Sequence, residues 1–214
     1  MRVLRSISMF SLVFSMLACG DKSAGGEAAG GGTPKKSAAD LLPAFEKDAV
    51  AAVTAARPSG ASIEFGAASV DDGKVLAVVP KGWEESKVIP GSYKPPKEPD
   101  LGFMTSYKVG TNCDGMCSAK DWKATAEKVN FGQFRNADSF EITDERALTN
   151  PEGRIVVAKA KSAMGPKVHI AAARWKEGAS RYYTCFTTLE GEAAVALMPV
   201  FVKACELGQA VELQ

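Results

Sequence analysis

The sequence predicts an α+β fold, an antiparallel β-sheet of about six or seven strands flanked by helices. Three observations carry that expectation. Residues 140–148, 154–161, 168–176 and 181–189 are rich in Val, Ile, Tyr, Phe and Thr, the residues that fit a pleated, half-buried surface. Turn chemistry separates them, at Asn150-Pro151-Glu152-Gly153, Met164-Gly165-Pro166 and Glu177-Gly178, so the connections are short and antiparallel. Apolar stripes of helical period stand near both ends, at residues 37–57 and 192–207.

In chain order, Arg2 and Arg5 form a basic start before an apolar run over residues 7–18. That run is shorter than the roughly 20 residues a bilayer span takes, so it reads as the core of a signal peptide over residues 1–18. It closes on Met16-Leu17-Ala18-Cys19-Gly20, which resembles the lipobox of bacterial lipoproteins. The resemblance implies acylation of Cys19, a new N-terminus there and attachment to the lipid bilayer. Asp21 stands one place beyond the position where an aspartate retains such proteins at the inner membrane, so the expected location is the outer membrane, facing the periplasm. The competing reading is an ordinary secretory signal cleaved nearby.

Residues 19–36 contain Gly, Ala, Ser and Lys with no large apolar side chain, and such a segment cannot bury enough surface to offset its ordering entropy. A flexible tether is expected there. Residues 37–58 follow as an amphipathic helix with Leu41, Leu42, Phe45, Ala49, Val53 and Ala56 near one face, ended by Pro58 and Gly60. Pro43 requires the first turn or a kink. The domain proper is expected over residues 61–214.

Residues 61–70 and 74–79 alternate as two strands joined at Asp71-Asp72-Gly73, a hairpin turn, and Pro80-Lys81-Gly82-Trp83 closes the pair. Five residues of special geometry, Pro90, Gly91, Pro95, Pro96 and Pro99, surround Tyr93 in residues 87–100, so a loop without a regular ladder is expected. Proline stiffness would present Tyr93 to a protein partner, with Trp83 nearby. Residues 101–109 return to strand. Ser118 to Asp121 matches a capping box opening a helix with Trp122, Ala126 and Val129 on one face. The last helix, over residues 192–207, must kink or restart at Pro199 and stops at Gly208.

This order, with Pro80, Gly82 and Trp83 closing the first hairpin, resembles the PsbP/Mog1-like family over about residues 61–207. The resemblance implies an α/β/α sandwich. That family serves photosystem assembly, nuclear transport and envelope roles, and no functional residue carries over from it.

Charge and cysteine content bound the function. The signal holds two of the 26 basic residues and none of the 25 acidic ones, so the remainder is near neutral and has no electrostatic footprint for nucleic acid or for anionic lipid. Cys113, Cys117, Cys185 and Cys205 form an even set, which in an oxidising compartment implies two disulfides. Pairing Cys113 with Cys117 and Cys185 with Cys205 is the local solution; the crossed pairings remain open. The alternative for Cys113, Met116 and Cys117 is a soft-ligand Cu(I) or redox site, resembling the Cys-x3-Cys pair of Sco-type copper chaperones.

Enzymatic readings lack parts. The single histidine, His169, sits between Val168 and Ile170 in a strand, and no Gly-x-Ser-x-Gly elbow presents a serine. Asp138, Glu141, Asp144 and Glu145 read as solvated strand-edge carboxylates, with a glycosidase pair as the remaining alternative. The expectation is a non-catalytic, lipid-anchored envelope protein that needs no cofactor and binds another envelope component.

Overall fold

A computed structural model of the chain describes residues 36–96, 105–113, 120–135, 138–160, 162 and 165–213. The signal peptide, Cys19, most of the expected tether, Ser118, Met116 and Cys117 lie outside these residues. The described residues belong to one compact unit.

Helix α1 (Ala38–Ala55) starts at Ser37, whose hydroxyl accepts from the Asp40 amide while the Asp40 carboxylate accepts from the Ser37 amide. Ala38, Phe45, Ala49 and Val53 make its buried stripe. Pro43 lies in the second turn on the exposed side, where water can take the carbonyl its missing N–H leaves free.

The expected single sheet is two. Strands β1 (Phe65–Val70) and β2 (Val75–Pro80) pair antiparallel and are joined by β10 (Gln209–Ala210) in a separate three-stranded sheet. The turn between β1 and β2 places Asp71, Asp72 and Gly73 at positive φ. A seven-stranded antiparallel sheet runs in the order β3 (Glu84–Glu85), β4 (Ser92–Lys94), β5 (Ser106–Asn112), β9 (Tyr182–Glu190), β8 (Lys167–Arg174), β7 (Gly153–Ala160), β6 (Phe140–Leu148). The fold class is the expected α+β; the hairpin's place in it is not. Val75, Leu76, Ala77 and Val78 are all buried, so β2 has no solvent face and needs cover on both sides, which a separate layer provides.

The long sheet is packed on both faces, and its strands show it residue by residue. Ile155, Val157, Val168, Ile170, Ala172, Tyr183, Cys185 and Leu189 point into one core, shared with α1, the β1–β2 hairpin and the last helix. Their alternates Val156, Ala158, Ala171, Ala173 and Tyr182 point into a second core with Trp122, Phe131 and Phe134. That second layer is α2 (Trp122–Ala126), a π-helical turn (Glu127–Phe131) and α3 (Gly132–Arg135). Its cap corrects the expected capping box: Asp121 is the N-cap, and its Oδ1 accepts from the Ala124 amide at 3.0 Å.

The closing helix is interrupted rather than kinked, as α4 (Glu192–Val195) and α5 (Met198–Leu207), with Pro199 in the first turn of α5, where its missing N–H costs nothing. Gly208 ends α5 at φ −58°, outside the left-handed region expected for a glycine stop. Its requirement is space: a Cβ there would lie 2.0 Å from the Tyr183 hydroxyl. A last correction concerns the proline-rich segment, in which Ser92–Lys94 forms a ladder with Tyr93 opposite Tyr107. Its prolines at 90 and 95 fall just outside the paired residues, so no ladder amide is lost.

Candidate functional site

The most exposed apolar point of the described residues is the turn between β3 and β4. Glu84 and Glu85 pair with Lys94 and Tyr93, and the chain then reverses through residues 86–91. Val88 is 87% exposed and Ile89 46% exposed. Both are held by short-range polar contacts. The Ser86 hydroxyl oxygen accepts from the Val88 and Ile89 amides at 3.2 and 3.1 Å. The Ser92 amide donates to the Ile89 carbonyl at 3.1 Å, and the Gly91 amide donates to Glu85 Oε1 at 2.8 Å. Gly91 needs to be glycine twice over, with φ 72° and a notional Cβ 2.1 Å from the Val109 carbonyl oxygen.

Tyr93, expected to be presented by this segment, is 8% exposed and turns inward, its ring 6.4 Å from that of Tyr107. Strand pairing sets that direction, since β4 alternates and Tyr93 falls on the face shared with Tyr107. Burial, with the Glu85 charge adding, pushes its phenol up to about 12. Tyr93 is therefore a core residue with no face to offer a partner. Trp83 is half-buried and packs on the same core, 5.2 Å from Phe201.

At the same end of the molecule, Thr111 donates from its amide at 2.9 Å and its hydroxyl at 2.5 Å to Asp71 Oδ2. Burial pushes the Asp71 carboxyl up, but the two bonds from Thr111 and the Lys74 charge outweigh it, and its pKa lies below the ordinary value. A cavity of about 380 Å³ beside it is lined by Lys36, Leu41, Gly73, Lys74, Thr111, Val211 and Glu212.

The cysteines divide as the topology dictates. Cys185 of β9 and Cys205 of α5 are joined in a disulfide with Cα atoms 5.3 Å apart, both fully buried. That pairing excludes the crossed connectivities. Cys113 is disulfide-bonded too, which removes it as a free thiolate ligand for copper, while Met116 and Cys117 lie outside the described residues. Among the described residues no cluster of three metal-ligating side chains occurs.

His169 packs its ring edge-on to Phe140 at 5.4 Å, and its Nδ1 lies 3.1 Å from the Thr188 hydroxyl. Burial and the Lys167 charge lower its pKa, against a smaller opposite pull from Glu190. The strand-edge carboxylates are engaged by arginine: Glu145 by Arg135 and Arg154, and Asp144 by Arg146. Glu127 joins the first group through Arg154 at 3.0 Å. Asp144 and Glu145 are thus each held in ion pairs with arginine side chains.

The sequence reading missed Arg174. Its guanidinium, buried at the end of β8, donates to the carbonyls of Thr149, Pro151 and Glu206, tying the β6–β7 turn to the end of α5. Its signal was an arginine continuing the apolar run Ile170 to Ala173, which asks for buried acceptors.

No protein-family model matches this chain, and no curated protein matches it. Among solved structures it is similar to the Ran-binding protein Mog1p of Saccharomyces cerevisiae, at 9% identity over 70% of this chain and 97% of that one, with a TM-score of 0.45. It is similar as well to the cyanobacterial PsbP (CyanoP) of Synechocystis sp. PCC 6803, at 10% identity over 72% of this chain and 96% of that one, with a TM-score of 0.43. Neither likeness assigns a family or a function to the chain.

Proposed function

We propose that this chain is a non-catalytic envelope lipoprotein, acylated at Cys19 and held at the outer membrane on the periplasmic side, whose disulfide-stabilised domain binds another envelope component. The observation that carries the reading is the Cys185–Cys205 bridge, fully buried between the sheet and the last helix. A bridge of that kind belongs to a compartment that oxidises thiols, and it agrees with a leader that ends in Leu17-Ala18, just before Cys19. The groups that could do chemistry are spent on structure. His169 sits against Phe140 and Thr188, and Asp144, Glu145 and Glu127 are paired with arginines. Function then rests on holding a rigid surface at high local concentration near the membrane.

Intact mass of the membrane-extracted protein, followed by non-reducing peptide mapping, tests this. An acylated Cys19 together with a Cys185–Cys205 cross-linked peptide and a bridged Cys113–Cys117 peptide is the expected result. A soluble product without lipid, or alkylatable Cys113 and Cys117, overturns it.

A further inference from the structure

We infer that the Val88–Ile89 turn is a bilayer-contacting tip that enters the lipid interface when the domain is held by its N-terminus; this rests on the anchored reading above. Four large apolar side chains are exposed among the described residues, and the two most exposed are these neighbours. Single exposed aliphatics need no explanation, but an adjacent pair fixed outward does. The Ser86 hydroxyl, the Glu85 carboxylate and the Ser92 amide hold the turn, so neither side chain is free to fold back and little ordering entropy remains to be lost on contact.

Position supplies the occupant. The Gly91 carbonyl accepts from Val109 at 2.9 Å, so the turn projects along β5 toward Thr111. Thr111 grips Asp71 at the tip of the β1–β2 hairpin, and the cavity beside it is lined by Lys36, Gly73 and Lys74. The end from which the apolar tip projects is therefore the end at which the tether joins the domain. A domain pulled toward a membrane through Lys36 brings Val88 and Ile89 toward it.

The tip's chemistry suits a lipid surface better than a protein. It offers two aliphatic side chains beside Lys87 and Pro90, with none of the aromatic or arginine anchors that dominate protein interfaces. Aliphatic groups enter the headgroup region without needing a shaped pocket, and Lys87 meets lipid phosphates. The acidic neighbours, though exposed, are engaged, Glu84 beside Lys94 at 3.9 Å and Glu85 accepting from the Gly91 amide. Two aliphatics bind weakly alone, so the contact depends on tethering.

The test replaces residues 1–19 with a hexahistidine tag, keeping the spacer, and holds the chain on phosphatidylethanolamine–phosphatidylglycerol vesicles containing a nickel-chelating lipid. Val88→Trp serves as reporter, with quenching by acyl-brominated lipid. We expect roughly a twofold loss of the added emission, abolished by a further Ile89→Asp substitution. Quenching no greater than that of the three native tryptophans overturns the tip proposal. Intact mass at Cys19 in the untagged protein decides the anchor separately, so a missing lipid is not confused with a dry tip.

Discussion

Tyr107 of β5 donates its phenolic proton to the Val78 carbonyl of β2 at 2.9 Å, a buried hydrogen bond that joins the seven-stranded sheet to the three-stranded one. Its ring also lies 5.6 Å from Phe201 of α5, so one side chain touches three layers. Tyr107→Phe keeps the ring and removes the bond. The expected cost is about 1–2 kcal/mol in urea unfolding, and an unchanged midpoint would show that the bond contributes nothing.

Gly208 and Tyr183 form a second such relationship. The backbone of Gly208 is open to any residue, but a Cβ meets the Tyr183 hydroxyl at 2.0 Å and ring carbons at 2.5 and 2.8 Å, and that hydroxyl donates to the Cys205 carbonyl. Gly208→Ala is expected to cost about 1–3 kcal/mol by overpacking. Tyr183→Leu in the same chain should make the alanine nearly neutral, a coupling that a double-mutant cycle measures.

The Cys185–Cys205 bridge closes 20 residues of chain. Replacing both cysteines with alanine is expected to cost about 3 kcal/mol. Thermal unfolding under non-reducing conditions checks it, and the loss should vanish when wild type is compared after full reduction.

His169 gives the acid limb of stability a defined sign. Burial, then Lys167, holds its pKa below the ordinary 6.5, so the fold prefers the neutral ring. Its contribution is complete above pH 6.5 and is lost as pH falls through the lower folded value. Urea midpoints followed downward from neutrality should fall in wild type, and the part of that fall due to the ring should be absent in His169→Gln.

Gly91→Ala tests whether the tip is held as described. The added methyl meets the Val109 carbonyl and the residue sits at φ 72°, so the turn must leave β5. Hydrogen exchange at the Val109 amide should then accelerate, while strands β7 and β8 on the far side keep their protection.

Much of this fold was legible in sequence because local periodicity reports which face a residue occupies. The four long strands and the stripe of α1 follow from alternation of period 2 or 3.6, readable over short stretches, whereas which cysteines pair was settled only by the fold. That the last helix could not run unbroken through Pro199 was legible as well, since a missing amide is a local fact; that it restarts rather than kinks was not.

Long-range pairing was not. That β1 and β2 leave the main sheet depends on β10, more than a hundred residues away, and on cover for a strand buried on both faces. Tyr93 looked outward in a proline-rich string, and only its partner Tyr107 turned it in, leaving Val88 and Ile89 as the exposed pair. Gly208 was recognisable as the end of a helix, but its reason was a tyrosine from another strand. Sequence by itself determined the long strands, the main helices and their apolar faces, because those are encoded by neighbours. The tertiary structure alone decided which surfaces remained for function, because exposure is what is left after distant segments have covered one another.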